Sequence, residues 1–207
     1  PPSRPPPSPP SPPLAPPPPT SDVYEFRFLL VQGPFSDGVQ LAGVSLYAAD
    51  GSALPVRVGS DCPSQYCASN PDDDDGDLEA PPLQRAWAAV DNDDGTKWFD
   101  PQMFCVDVAG QCTVSSRLRL ELPSAAAVHE YEFRTPIDNM FRDPVRWQFG
   151  IVRGGCPGCP FELLSEVDLG DAGGPRATLP NGGYGHTSYG RYGANAPPLP
   201  PSAPPPF

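Results

Sequence analysis

The chain has 207 residues, 34 of them proline, and a formal net charge of −12 at pH 7. Such a charge is repelled by nucleic acid and by anionic membrane surfaces, which argues against both as partners. No stretch approaches the ~20 consecutive apolar residues of a bilayer-spanning helix, so membrane insertion is not expected.

Residues 1–20 read PPSRPPPSPPSPPLAPPPPT. Proline fixes φ and lacks an N–H, so such a run joins neither helix nor sheet. It predicts a polyproline II rod with a solvated backbone. A second Pro-rich run occupies 197–207, and the part between is long enough for a single core. With no initiator methionine ahead of the first run, the chain is expected to be a segment of a longer polypeptide that alternates rods with domains.

Period-two alternation dominates the middle. Tyr24, Phe26, Phe28 and Leu30 share one face of a first strand. Leu118, Leu120 and Leu122 alternate with Arg117, Arg119 and Glu121. Tyr131 and Phe133 oppose Glu130, Glu132 and Arg134, and Val145, Trp147, Phe149 and Ile151 repeat the pattern. Half-buried strands read this way. Turn signals separate them at Ser36-Asp37-Gly38, Asp50-Gly51, Asp94-Gly95 and Gly154-Gly155. Leu83 to Val90 holds one helical turn or a loop. Short strands at this spacing, with few helices, predict an all-β fold: an antiparallel β-sandwich or jelly roll. The expected domains are a Pro-rich segment at 1–20, the sandwich at 21–181, a Gly/Tyr-rich tether at 182–196 and a second Pro-rich segment at 197–207.

Six cysteines fall in three close pairs, Cys62/Cys67, Cys105/Cys112 and Cys156/Cys159. Sequence does not choose among the connectivities; local pairing is the simplest. An even cysteine count beside Pro-rich flanks favours an oxidising, extracellular setting. Cys156-Pro157-Gly158-Cys159 lies between strands rather than at a helix N-terminus, so it reads as a turn-closing disulfide and not a redox pair. The three spacings fit no common zinc site. The acidic run Asn70 to Asp77 fails as a calcium-binding EF-hand, because Pro71 and Pro82 occupy the positions that need acids. It reads as a solvated loop.

For catalysis the chain offers only two histidines. His129 alternates with Tyr131 on a strand and His186 sits in the Gly-rich stretch. No nucleophile elbow, metalloprotease motif or phosphate-cradling loop occurs, so no enzyme is expected. Asparagine is nowhere followed by Ser or Thr at the second position, so any glycan would be O-linked.

Three segments carry a resemblance. They are Val39 to Tyr47 (VQLAGVSLY), Ala89 to Asp100 (AVDNDDGTKWFD) and Arg142 to Trp147 (RDPVRW). Their order and content resemble the discoidin-like, galactose-binding-like β-sandwich modules of algal and protist extracellular proteins, over about 22–180. Gly43 stands where that family has Glu, and Asp91-Asn92-Asp93 stands for its Asp-Gly-Asn. The Pro-rich flanks resemble hydroxyproline-rich glycoproteins of green-algal walls and of the mastigoneme-type filaments on algal cilia.

The resemblance implies a structural Ca²⁺ held by Asp91, Asp93 and Thr96, with Asp94 beside them and Glu162 or Glu166 completing the set. The alternative is a tight Asp/Asn turn that satisfies its own backbone. Trp98 and Trp147 fall inside the family motifs and read as core, whereas Trp87 is the better surface platform for a glycan. The flanks imply prolyl hydroxylation and O-glycosylation at Ser3, Pro5, Pro6, Pro7, Ser8, Pro9, Pro10, Ser11, Pro12, Pro13, Pro16, Pro17, Pro18, Pro19, Pro197, Pro198, Pro200 and Pro201. Two functions follow as expectations. The first is a structural module of an extracellular filament or wall, in which glycosylated rods connect and dock with sandwich domains of other copies. The second is a carbohydrate-binding adhesion module, with the rods as spacers.

Overall fold

The computed structural model describes residues 17–33, 36–62, 65–71, 82–103, 116–154, 158–170 and 186–194. The Pro-rich segments 1–16 and 195–207, the acidic run 72–77, and Cys105, Cys112 and Cys156 lie outside them. In chain order the strands are β1 Ser21–Val31, β2 Val39–Leu41, β3 Gly43–Tyr47, β4 Ala53–Leu54, β5 Ala68–Ser69, β6 Trp98–Asp100, β7 Ser116–Ala126, β8 Glu130–Arg134, β9 Pro144–Val152, β10 Phe161–Asp168 and β11 Ser188–Gly193. Short 3₁₀ turns occupy Pro82–Gln84, Ala86–Ala89 and Met140–Arg142. The first two fill the stretch expected to hold one helical turn or a loop.

The strands form an antiparallel β-sandwich. A five-stranded sheet runs β10-β9-β1-β7-β5, a four-stranded sheet runs β11-β8-β3-β4, and β2 pairs with β6 in a ribbon. The alternating apolar side chains become the filling. Tyr24, Phe26 and Phe28 of β1, Leu118 and Leu120 of β7, and Trp147, Phe149 and Ile151 of β9 are fully buried. They meet Tyr131 and Phe133 of the other sheet, with Phe26 edge-on to both at ring-centroid distances of 5.1 and 4.9 Å. Burying each such side chain contributes about 1.5–3 kcal/mol. Trp147 Nε1 donates to Tyr131 Oη at 2.9 Å within this filling.

Three features depart from simple alternation. Register shifts at Phe28/Leu30 and Leu30/Val31 place Leu30 opposite Arg146 and Val31 opposite Pro144. Leu30 is therefore only half-buried, and Val31 takes a core place instead. Such bulges insert an extra residue and reverse which face follows.

The second departure corrects the expected tether. Ser188–Gly193 is strand β11, paired antiparallel with β8. A register shift between Ser188 and Arg191, with Gly190 at φ 77°, lets Tyr189 and Tyr192 both face inward. Their rings pack edge-on to Trp147 at 5.8 and 5.1 Å. Glycine weakens a strand, but these aromatic contacts outweigh that cost.

The third is an ion cluster on an outward position. Glu25 of β1 is fully buried, although Tyr24 and Phe26 on either side point into the core. Arg27 Nε donates to Glu25 Oε1 at 2.8 Å, and Arg119 Nη2 donates to Oε2 at 2.8 Å. Gly150 pairs with Glu25 on the other side. A Cβ there would stand 2.7 Å from the Phe161 ring, and the Arg27 guanidinium lies 3.8 Å over that ring. Arg27 and Phe161 thus roof the carboxylate.

The registers also define two poles. At one, Ser21 pairs with Ala126, and four residues on Glu130 opens β8 opposite Gly193 at the end of β11. Ala194 N donates to His129 O beside it. At the other pole, Val31 pairs with Pro144, Phe28 with Ser116 and Gly43 with Arg134. The described chain therefore enters and leaves the sandwich at the same pole.

Candidate functional site

The far pole gathers the β2–β6 ribbon and the beginnings of β3 and β9. The first to consider is the turn after Ala86–Ala89. Asp91 Oδ1 accepts from Asp93 N at 2.9 Å, and Asp93 Oδ1 accepts from Gly95 N at 2.8 Å. Thr96 Oγ1 donates to Asp91 Oδ2 at 2.7 Å. Asn92 has φ 61°, a left-handed conformation that Asn tolerates better than most residues.

Both Asp91 oxygens and one of Asp93 accept hydrogen bonds inside this turn. These are the bonds of an Asp/Asn turn that satisfies its own backbone. Glu162 and Glu166 do not join it. Arg153 Nε donates to Glu162 at 2.8 Å, and Arg146 Nη2 donates to Glu166 at 2.8 Å. Arg146 and Gln148 together hold the Glu166 carboxyl below the usual carboxylate range. Among the described residues, no three Asp, Glu, His or Cys side chains gather as metal ligands.

Asp94 looks outward and ties the turn to the four-stranded sheet. Arg134 Nη1 donates to Asp94 Oδ1 at 2.6 Å. The guanidinium lies across Gly43, where a Cβ would stand 2.6 Å from Arg134 Nε. Gly43 thus makes room for this arginine.

Next to it, Gln40 of β2 pairs with Phe99 of β6. Lys97 Nζ donates to Gln40 Oε1 at 3.1 Å and pairs with Asp138. Gln40 Nε2 donates to Asn139 O at 2.5 Å. Arg142 is bidentate on Asp37, with both bonds at 2.7 Å, and its guanidinium lies 4.3 Å from the Phe99 ring centre. These bonds hold Asp37 below the usual carboxylate range and raise Arg142 in return. Gly38 lets Phe99 lie flat on the chain, since a Cβ there would stand 2.5 Å from the ring. The loop 137–143 is clamped to the end of β1 by Gln32 N to Asp143 O at 2.8 Å and Gly33 N to Phe141 O at 2.9 Å. At its rim Ile137 and Phe141 are each 56% exposed.

The other expected site residues scatter. Trp87 sits half-buried in the second 3₁₀ turn. Trp98 and Trp147 are fully buried, as the core reading requires, and Trp98 Nε1 finds no hydrogen-bond partner among the described residues. His129 serves through its backbone, donating to Tyr47 O at 2.8 Å. The His186 ring lies 2.9 Å from Thr135 O. Cys62 and Cys67 form a disulfide, and Cys159 is also disulfide-bonded. Cys105, Cys112 and Cys156 lie outside the described residues, as do all the proposed glycosylation positions except Pro17, Pro18 and Pro19.

Sequence reasoning passed over Asp37, Phe99, Ile137, Phe141 and Arg142. Asp37 reads as a turn residue and Arg142 as part of a motif; only the fold places one on the other. The signal for Ile137 and Phe141 was present, since both are large apolar residues in a stretch without period two.

Comparison of the chain with protein-family models, with curated proteins and with solved structures finds no match. No helix among the described residues is long and apolar enough to cross a membrane.

Proposed function

We propose that this chain is a structural module of an extracellular, hydroxyproline-rich filament or wall. In this reading its Pro-rich segments set spacing and its discoidin-like sandwich docks on neighbouring material. One observation carries the proposal: the chain enters and leaves the sandwich at the same pole, through Ser21 and Gly193. A domain built this way hangs beside a rod and leaves its far pole free, instead of interrupting the rod. Two further observations support it. The β2–β6 ribbon, the start of β3 and Arg142 meet at one pole, so parts of the three segments that carry the family resemblance come together there. The described cysteines are all disulfide-bonded, which suits an oxidising compartment.

Electron microscopy and sedimentation of the native chain test the reading. Elongated self-association is expected, together with an intact mass above that of the bare sequence from hydroxyl and sugar additions. A monomer of bare mass that binds an oligosaccharide saturably would overturn the proposal in favour of the adhesion module.

A further inference from the structure

We infer that the pole bearing Ile137 and Phe141 docks a Pro-rich segment from a second copy of this chain, joining copies head to tail. The inference rests on the structural reading above and names the surface through which it acts.

The surface suits a polyproline ligand. Ile137 stands exposed just before the Met140–Arg142 turn and Phe141 stands exposed within it, with the Phe99 ring under Arg142. Phe141 is seated on Gly33, where a Cβ would stand 2.5 Å from its own Cβ, so the backbone backs the ring. Proline-rich ligands dock on aromatic-lined surfaces, and their pre-extended backbone loses little freedom in doing so. The charges around this surface are paired, Lys97 with Asp138 and Arg142 with Asp37. An uncharged ligand can cover them without leaving a charge alone in the contact.

The charge distribution selects the occupant. Each copy carries −12, so two sandwich bodies repel one another. The Pro-rich segments escape that repulsion: Arg4 is the only ionisable side chain in 1–16, and 195–207 has none.

Geometry makes the occupant another copy's segment. The chain's own Pro-rich segments adjoin the pole at Ser21 and Ala194, whereas Phe141 is bonded at Gly33 beyond the other end of β1. The eleven residues of β1 separate the two by about 35 Å at ~3.3 Å per residue. To reach its own patch, a stiff rod would have to double back along the body. A rod from a second copy needs no such turn. The two surfaces in contact are different, so the contact is heterologous and propagates as an open chain unless the rotation closes a ring.

A fluorescent peptide with the sequence of residues 1–16, in prolyl and hydroxyprolyl forms, is titrated onto the full chain. Saturable binding is expected, weakened about tenfold or more by Ile137→Ser with Phe141→Ser at unchanged melting temperature. The same double variant should lose self-association in sedimentation. A photo-crosslinking version of the peptide should label 137–142 in the unsubstituted chain, a readout that does not depend on the variant folding. Labelling elsewhere, or association that survives the double substitution, overturns this inference and leaves the structural-module reading standing. A chain that neither associates nor binds either peptide defeats both.

Discussion

The outer face of the five-stranded sheet holds Glu25 between Arg27 and Arg119, and the outer face of the four-stranded sheet holds Glu130 against Arg191. Both are Glu–Arg contacts on antiparallel strands, and both have an arginine lying 3.8 Å over an aromatic ring, Phe161 in one and Tyr47 in the other. They differ in exposure. The Glu25 and Arg119 side chains are 0% and 6% exposed, whereas Arg191 and Glu130 are both 44% exposed. A carboxylate that water can still reach loses little when its partner goes. One sealed under Arg27 and Phe161 depends on its partners for all the solvation it has.

Arg119→Ala breaks this comparison open. It removes one of the two arginines on the buried Glu25 carboxylate and should cost about 3 kcal/mol. Arg191→Ala should cost at most about 1 kcal/mol. Denaturant midpoints of the two variants measure the gap, and equal losses would mean that Glu25 is solvated after all.

The core between the faces gives the next effect. Burial pushes Tyr131 up to about 12 from 10.0. A raised value in the folded state means stability that is complete below the unfolded pKa and lost as pH rises toward the folded one. Between about pH 10 and 12 the chain should lose about 2–3 kcal/mol more than a Tyr131→Phe variant does. Parallel pH–stability curves for the two proteins would refute this.

The two outer-face glycines sharpen the contrast. Gly150→Ala drives a methyl into the Glu162 carbonyl and the Phe161 ring and should cost about 1–3 kcal/mol. Gly43→Ala meets only the movable end of Arg134, so its cost should be smaller and should vanish in an Arg134→Ala background.

At the far pole the effects are smallest. Asp37 lies below its unfolded value, so its contribution is present above about pH 4 and is lost as pH falls through the folded value. Asp37→Asn should flatten that part of the acid-unfolding curve by slightly lowering the neutral melting temperature while leaving the acid end unchanged. The self-contained turn at Asp91 predicts a melting temperature indifferent to chelator, and a fall on chelation would restore the calcium reading.

The sequence by itself determined the sandwich. Alternation at Tyr24–Phe28, Leu118–Leu122, Tyr131–Phe133 and Trp147–Ile151 sorts each strand into two faces, and burying the apolar face of one sheet requires a second sheet. The Cys62–Cys67 bond is the simplest local pairing of those the sequence leaves open, and Trp147 shares the alternation of its own strand. Tertiary structure alone decided that the outward Glu25 is buried, because its roof comes from Phe161, far along the chain. It also decided that Tyr189 and Tyr192 cover Trp147, and that Asp37 meets Arg142 over Phe99. Alternation reports only how a strand divides its own side chains. What finally covers a face is supplied by strands and loops remote in sequence, through register shifts and glycine gaps that leave no period behind.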